Sequence, residues 1–385
     1  MIEVNAKLLK GPVYLSGETI ECSISFIHPK SLQHKVSQSN NDAFESLAWA
    51  SAQIHCQCTT DGKVSKLKPD GDSMAFSDTA LPVNTQDAGL QEIATKPKIL
   101  FCDLRLSPGQ AKTYIYREKI PNDAPPSYRG QLVKYSYKIT IGTQRVNSPI
   151  KLLKVPIRVL PVNIGMDVGG LCNETSDELS PANPFLEVRE KEKEIETPFD
   201  LALQALQNIT ARRNPNFYMI SNTWGKVARF CLFKPAYKLG EDIIGTFDFT
   251  VATVKCVQVS VSLQCEEETT IEDKTKQTRI ITFSKHHEVC LGLQHTQLIL
   301  PIPLHLTPAF ETKLVSLKWR LHFEFVTSTS PKLDGPKLED SDWKAPAELP
   351  IETMVWSLPI RLFSTSPEQV AQGLQANNSY RLAIR

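Results

Sequence analysis

Two short stretches carry the residue types of metal chemistry. HCQC at 55–58 sets His55 beside Cys56 and Cys58, and HHEVC at 286–290 offers His286, His287 and Cys290. Imidazole and thiolate are the ligands that zinc gathers in fours. HCQC lies in an apolar, strand-like run, where alternation puts Cys56 and Cys58 on one face and His55 on the other. HHEVC sits beside a charged stretch, and neither has a second ligand pair at zinc-finger spacing. The sequence shows no P-loop, no dinucleotide-binding glycine pattern and no nucleophile elbow. No metal, no cofactor and no covalent catalysis are expected. Pro-Pro-x-Tyr within APPSY (124–128) is a ligand for WW domains when it lies in a flexible tail. Here it runs straight into a strand pattern, so Tyr128 is expected as a buried aromatic at the strand start. Lys63, Lys66 and Lys68 are the nearest thing to a phosphate-reading cluster, and they are interspersed with Asp61, Asp70 and Asp72.

The elements behind these residues are strands. Val133, Tyr135, Tyr137, Ile139 and Ile141 alternate with Lys134, Ser136, Lys138 and Thr140, the pattern of a half-buried antiparallel strand. Val315, Leu317, Trp319, Leu321, Phe323 and Phe325 repeat it. The 385 residues suit about two domains, and 43 basic against 42 acidic side chains leave no global field for nucleic acid or anionic lipid. The start of the chain lacks the look of a secretory signal, and no apolar run approaches the roughly 20 residues of a membrane-spanning helix. A soluble cytosolic protein is expected, its nine cysteines mostly buried and reduced.

The chain is written twice. VPIRVL (155–160) returns as LPIRLF (358–363), IPNDAPPSYRGQLVKYSY as IPLHLTPAFETKLVSLKW, and YLSGETIECSISF (14–26) as YKLGEDIIGTFDF (237–249). Proline inside a strand belongs at an edge or bulge, so Pro156 and Pro359 mark one kind of place in two copies. The offsets of 203, 182 and 223 differ as they would if the copies share a strand order and vary in loops. Two tandem β-sandwiches follow, over 1–163 and 215–366, with a polar linker at 164–214 and a tail at 367–385 that is either a short helix or mobile. Long loops are expected at 28–45, 59–97, 266–288 and 327–350. In the linker, Thr197, Pro198 and Asp200 start a helix over about 198–210. Phe199, Ala202, Leu203, Leu206 and Ile209 form its apolar stripe, with Arg212 and Arg213 at the end that favours cations. The stripe covers either its own sandwich or a partner.

PPSYRGQLVKYSYKI, after LSPGQAKTYIYREKIP, resembles the N-domain signature of arrestin-fold proteins. SLAWASAQIHCQ, PKILFCDLRLSPG, YKLGEDIIGTF and VSLKWRLHFEFVTS resemble one branch of that fold, the Rgp family. The resemblance implies an all-β chain of two arrestin-like sandwiches. It also implies heterodimerisation with a large Ric subunit, as a guanine-nucleotide exchange factor for a Golgi Rab GTPase of the Rab-six class. Such a factor acts in retrograde transport, in cytosol and at the Golgi periphery, with no covalent chemistry of its own. On this reading Phe199, Leu203, Leu206, Ile209, Arg212 and Arg213 are the expected partner contacts. The alternative is an arrestin-type adaptor for membrane cargo tails.

Overall fold

The structure, a computed structural model, describes residues 1–30, 44–60, 90–162, 198–211, 213–270, 276–330, 333, 344 and 347–384. Its first half holds β1 (Ile2–Leu8), β2 (Val13–Leu15), β3 (Thr19–Ile27), β4 (Glu45–Thr60), β5 (Leu90–Ala94), β6 (Lys98–Leu106), β7 (Ala111–Lys119), β8 (Tyr128–Arg129), β9 (Val133–Gln144) and β10 (Lys151–Leu160). Helix α1 (Pro198–Ala211) precedes the second half, which comprises β11 (Asn216–Asn222), β12 (Gly225–Leu232), β13 (Ala236–Lys238), β14 (Asp242–Asp248), β15 (Lys255–Thr270), β16 (Lys276–Val289), β17 (His295–Pro301), β18 (Phe310–Glu311), β19 (Val315–Ser328) and β20 (Ile351–Phe363). Helix α2 (Pro367–Gly373) and β21 (Ser379–Ile384) follow.

Each half pairs a four-stranded sheet with a larger one. The orders β21-β1-β3-β7 and β11-β12-β14-β17 correspond, as do β2-β10-β9-β4-β5 and β13-β20-β19-β15-β16. The alternation read from the sequence holds: Val133 to Ile141 and Val315 to Phe325 turn their apolar sets into the core.

Repetition extends to single hydrogen bonds. Arg158 N–H donates to Pro12 O at 2.8 Å and Arg361 N–H to Pro235 O at 2.9 Å. Pro156 and Pro359 lie two residues earlier, so the N–H each lacks would have pointed to the same outer side. β2 and β13 cover that side only from residues 158 and 361 onward. No ladder bond is forfeited. Glu18 and Glu241 each accept from the backbone N–H three residues earlier, closing turns in which Gly17 and Gly240 take φ of 86° and 83°.

Two expectations change. The sequence reads residues 266–288 as a loop, yet β15 continues to Thr270 and β16 returns from Lys276. As an edge strand, β16 is exposed along much of its length, so the apolar alternation that identifies a strand is diluted. The 59–97 stretch likewise contains β5. Lys63, Lys66 and Lys68 and most of the loops expected at 28–45 and 327–350 lie outside the described residues.

The tail, which the sequence left open, is both ordered and long-range. Ser366 caps α2, accepting from Gln369 N–H, and Val370 is buried. β21 then crosses to the first half and pairs antiparallel with β1, Ile2 opposite Ile384 and Lys7 opposite Ser379. It takes the place that β11 takes in the second half, giving the first sandwich a strand borrowed from about 380 residues away. Deleting residues 378–385 should therefore expose the β1 edge. Hydrogen exchange is expected to show lost protection over residues 2–8, with the β12 and β14 amides unaffected.

Candidate partner interface

The metal-like stretches are occupied by packing. His55 is buried, with Nδ1 3.0 Å from Thr140 Oγ1, and burial, then the charges of Lys138 and Lys154, hold its pKa down to about 4. Cys56 and Cys58 are buried in the core. His287 pairs with Ser260 Oγ at 2.9 Å, while the Cys290 thiol turns inward to Cys256 Sγ at 3.3 Å. Among the described residues no three His, Cys, Asp or Glu side chains converge to hold an ion. Seven of the eight described cysteines are buried; Cys102 is exposed.

Tyr128 is buried, its ring 5.2 Å from Phe310 in an edge-on contact. These two residues are counterparts in the duplication, so the copies meet at equivalent points. Other polar groups cross the same boundary. Arg158, partly desolvated so that its pKa falls below the usual arginine value, donates to the carbonyls of His305 and Leu306 at 2.9 and 2.8 Å. Thr307 Oγ1 donates to Ser127 O, Ser364 Oγ donates to Pro161 O, and the Tyr135 hydroxyl meets Thr312 Oγ1.

The strongest crossing is Glu267. Fully buried on β15, its carboxylate accepts from Gln131 N–H at 2.9 Å, Leu132 N–H at 3.1 Å and Val133 N–H at 3.0 Å. Successive backbone amides form an anion-binding concavity, and charge-assisted bonds of this kind are roughly twice as strong as neutral ones. Gly130 leaves the room: a Cβ there would lie 2.2 Å from Glu267 Oε1 and 2.5 Å from the Tyr128 ring. Burial first, and then the adjacent carboxylate, push the Tyr128 phenol above its ordinary value, so it stays protonated. The Pro-Pro-Ser-aromatic-x-Gly stretch is thus the first copy's half of a joint between the copies.

The linker helix sits on its own chain. Leu206 is buried against Ala236 and Phe363, Ile209 packs beside it, and Leu203 is half-buried against the main core. Lys234 Nζ lies 3.2 Å from Thr210 O and 2.7 Å from Glu241, tying the helix end to the segments that flank β13. Arg213 is exposed; Arg212 and the side chain of Phe199 lie outside the described residues.

What the geometry defines is an all-β protein of two matched sandwiches joined by a polar clamp and presenting broad sheet faces. The Rgp1 family profile matches residues 85–168 and 171–328. Curated relatives called "RAB6A-GEF complex partner protein 2" are 44% identical to the chain in human, over 95% of this chain and 96% of the relative. The bovine protein of the same name is also 44% identical, over 94% and 93%. The chain belongs to the Rgp1 family.

Three outcomes follow from these buried groups. Glu267→Ala should lower unfolding free energy by at least ~3 kcal/mol, because three amides lose their acceptor in a dry site; urea denaturation measures it. Glu267→Gln should also destabilise, since its NH2 faces donors. The unfolded imidazole of His55 titrates near ~6.5, above the folded value of about 4. The unfolded chain therefore binds the proton first as pH falls. Stability contributed by His55 is complete above ~6.5, declines as pH drops toward 4, and amounts to on the order of 3 kcal/mol. His55→Gln should flatten that part of the pH profile.

Proposed function

We propose that this chain is the arrestin-like subunit of a heterodimeric exchange factor that promotes GDP release from a Golgi Rab GTPase of the Rab-six class, together with a large Ric subunit. The observation that carries the reading is 44% identity to RAB6A-GEF complex partner proteins over nearly the whole of both chains. The architecture fits a binding role. An exchange factor accelerates release by binding the nucleotide-free GTPase best, which requires surface and rigidity and no covalent step. In this reading the chain makes no bond of its own, supports the large subunit and helps present it to the GTPase. No described helix is long and apolar enough to cross a membrane, so Golgi attachment is assigned to the GTPase and the large subunit.

The linker residues Phe199, Leu203, Leu206, Ile209, Arg212 and Arg213 form one contact in this proposal. Leu206 and Ile209 act from beneath, by seating the helix on Ala236 and Phe363, and the arginines face acidic groups of the partner. The test is release of a fluorescent GDP analogue from the loaded Golgi Rab. This chain alone and the large subunit alone should be slow and the pair fast; a pair that is inert across a panel of Rab proteins would sink the reading. Arg212→Glu with Arg213→Glu should weaken assembly of the pair, read by co-purification, without shifting Tm.

A further inference from the structure

Because the fold repeats, one copy shows what a solvated version of the other looks like. The sheets β21-β1-β3-β7 and β11-β12-β14-β17 occupy equivalent places, and their inward residues match in kind, as Ile20 and Ile24 match Ile243 and Phe247, all fully buried. Their outward residues do not.

On the first sheet Glu21 and Arg117 face each other across β3 and β7 in an ion pair of 2.8 Å. At the same register in the second, Ile244 faces Ile299 across β14 and β17. Ser379 of β21 becomes Phe217 of β11, Arg381 becomes Met219, and Lys7 of β1 becomes Cys231 of β12. Every one of these changes removes a charge or a hydroxyl. The result is a sheet face with Phe217 66% exposed, Ile299 53%, Met219 50% and Ile244 44%.

The centre of the face loses charge while one margin gains it: Arg229, Asp248 and His295 stand at the register of Asn5, Ser25 and Thr113. Arg229 bonds Asp248 at 2.7 Å and lies 6.0 Å from the Phe217 ring, and His295 lies 3.7 Å from Asp248. They form a polar margin beside a shallow depression of about 360 Å³ among Phe217, Cys231, Thr246 and Gln297. An apolar centre with a paired polar rim is the anatomy of a protein interface.

The size of the face selects the occupant. Four strands ~4.8 Å apart and seven to eight residues long span on the order of 450 Å², against the ~800 Å² per partner of a stable standard interface. Two copies meeting on this face alone fall short of a dimer. A different, larger protein that uses the face as an anchor and continues onto neighbouring surface does not.

We propose that the outer face of β11-β12-β14-β17 is the anchor for the other subunit of the exchange complex, which inserts apolar side chains into the depression beside Phe217. This deepens the proposed function and rests on it. The sheet of the first copy stays free in the complex.

The test replaces this face with its solvated counterpart. Ile244→Glu with Ile299→Arg rebuilds the ion pair of Glu21 and Arg117, and Phe217→Ser follows Ser379; the first sheet shows that such residues suit this backbone. Full-length wild type and the triple variant are each co-expressed with the large Ric subunit and compared by co-purification and by GDP release from the Rab. A mirror variant, Glu21→Ile with Arg117→Ile, serves as reference. Expected are an unchanged circular dichroism spectrum, assembly at least 100-fold weaker for the triple variant, and wild-type assembly for the mirror variant. If the wild-type pair assembles and the folded triple variant assembles equally well, the proposal is overturned while the exchange reading survives. If the wild-type pair does not assemble at all, the exchange reading itself fails, and this proposal with it. Sedimentation of this chain alone gives a third outcome: a wild-type dimer that the triple variant abolishes would assign the face to a second copy and overturn the proposal.

Discussion

The buried carboxylate of Glu267 is the centre of the joint between the two halves of this molecule. Glu267 would be intolerable in a dry core on its own, and it is held there because three consecutive amides of the other half converge on it. The interaction is directional. A greasy seam would let two sandwiches slide, whereas three N–H bonds to two oxygens fix both distance and orientation. The Tyr128 and Phe310 contact and the paired bonds of Arg158 then act on parts already in register.

The clamp also breaks the symmetry of the duplication. Tyr135 and Leu317 are counterparts, and their partners across the sheet are Cys58 and Glu267. One copy therefore carries a buried thiol where the other carries the joint. Duplication supplied two similar sandwiches, and specialisation at single positions made one molecule of them. The same contrast runs through the centres of the outer sheets, where the ion pair of Glu21 and Arg117 in one copy stands for Ile244 and Ile299 in the other.

Much of this architecture was legible from residues alone. The period-two runs of β9 and β19 declare their faces without help, and the repeated Gly-Glu turns and PIR phrases give strand order. What escaped is what depends on residues far apart. Glu267 stands in the run EEE, which reads as a solvated charge cluster until the amides 134 to 136 positions earlier are brought to it. β21 has the alternation of a strand in Tyr380, Leu382 and Ile384, but nothing local says which edge it joins. β16 lacks a readable alternation because an edge strand keeps its polar side chains on both faces. The linker stripe was visible at once, while its choice between Ala236 with Phe363 and another protein was not, because the two demand the same side chains.

The pairing of Ile2 with Ile384 has a consequence for how the chain comes into being. At a ribosomal pace of ~5–20 residues per second, β1 emerges on the order of tens of seconds before the strand that will lie beside it. Throughout that interval the first sandwich has a bare edge, the situation that invites pairing with a neighbouring chain. The second half, whose β11 directly precedes β12, faces no such delay. The half made last is thus able to finish first, and the half made first waits on it for closure. The first sheet can be completed only after residues 379–384 have been made.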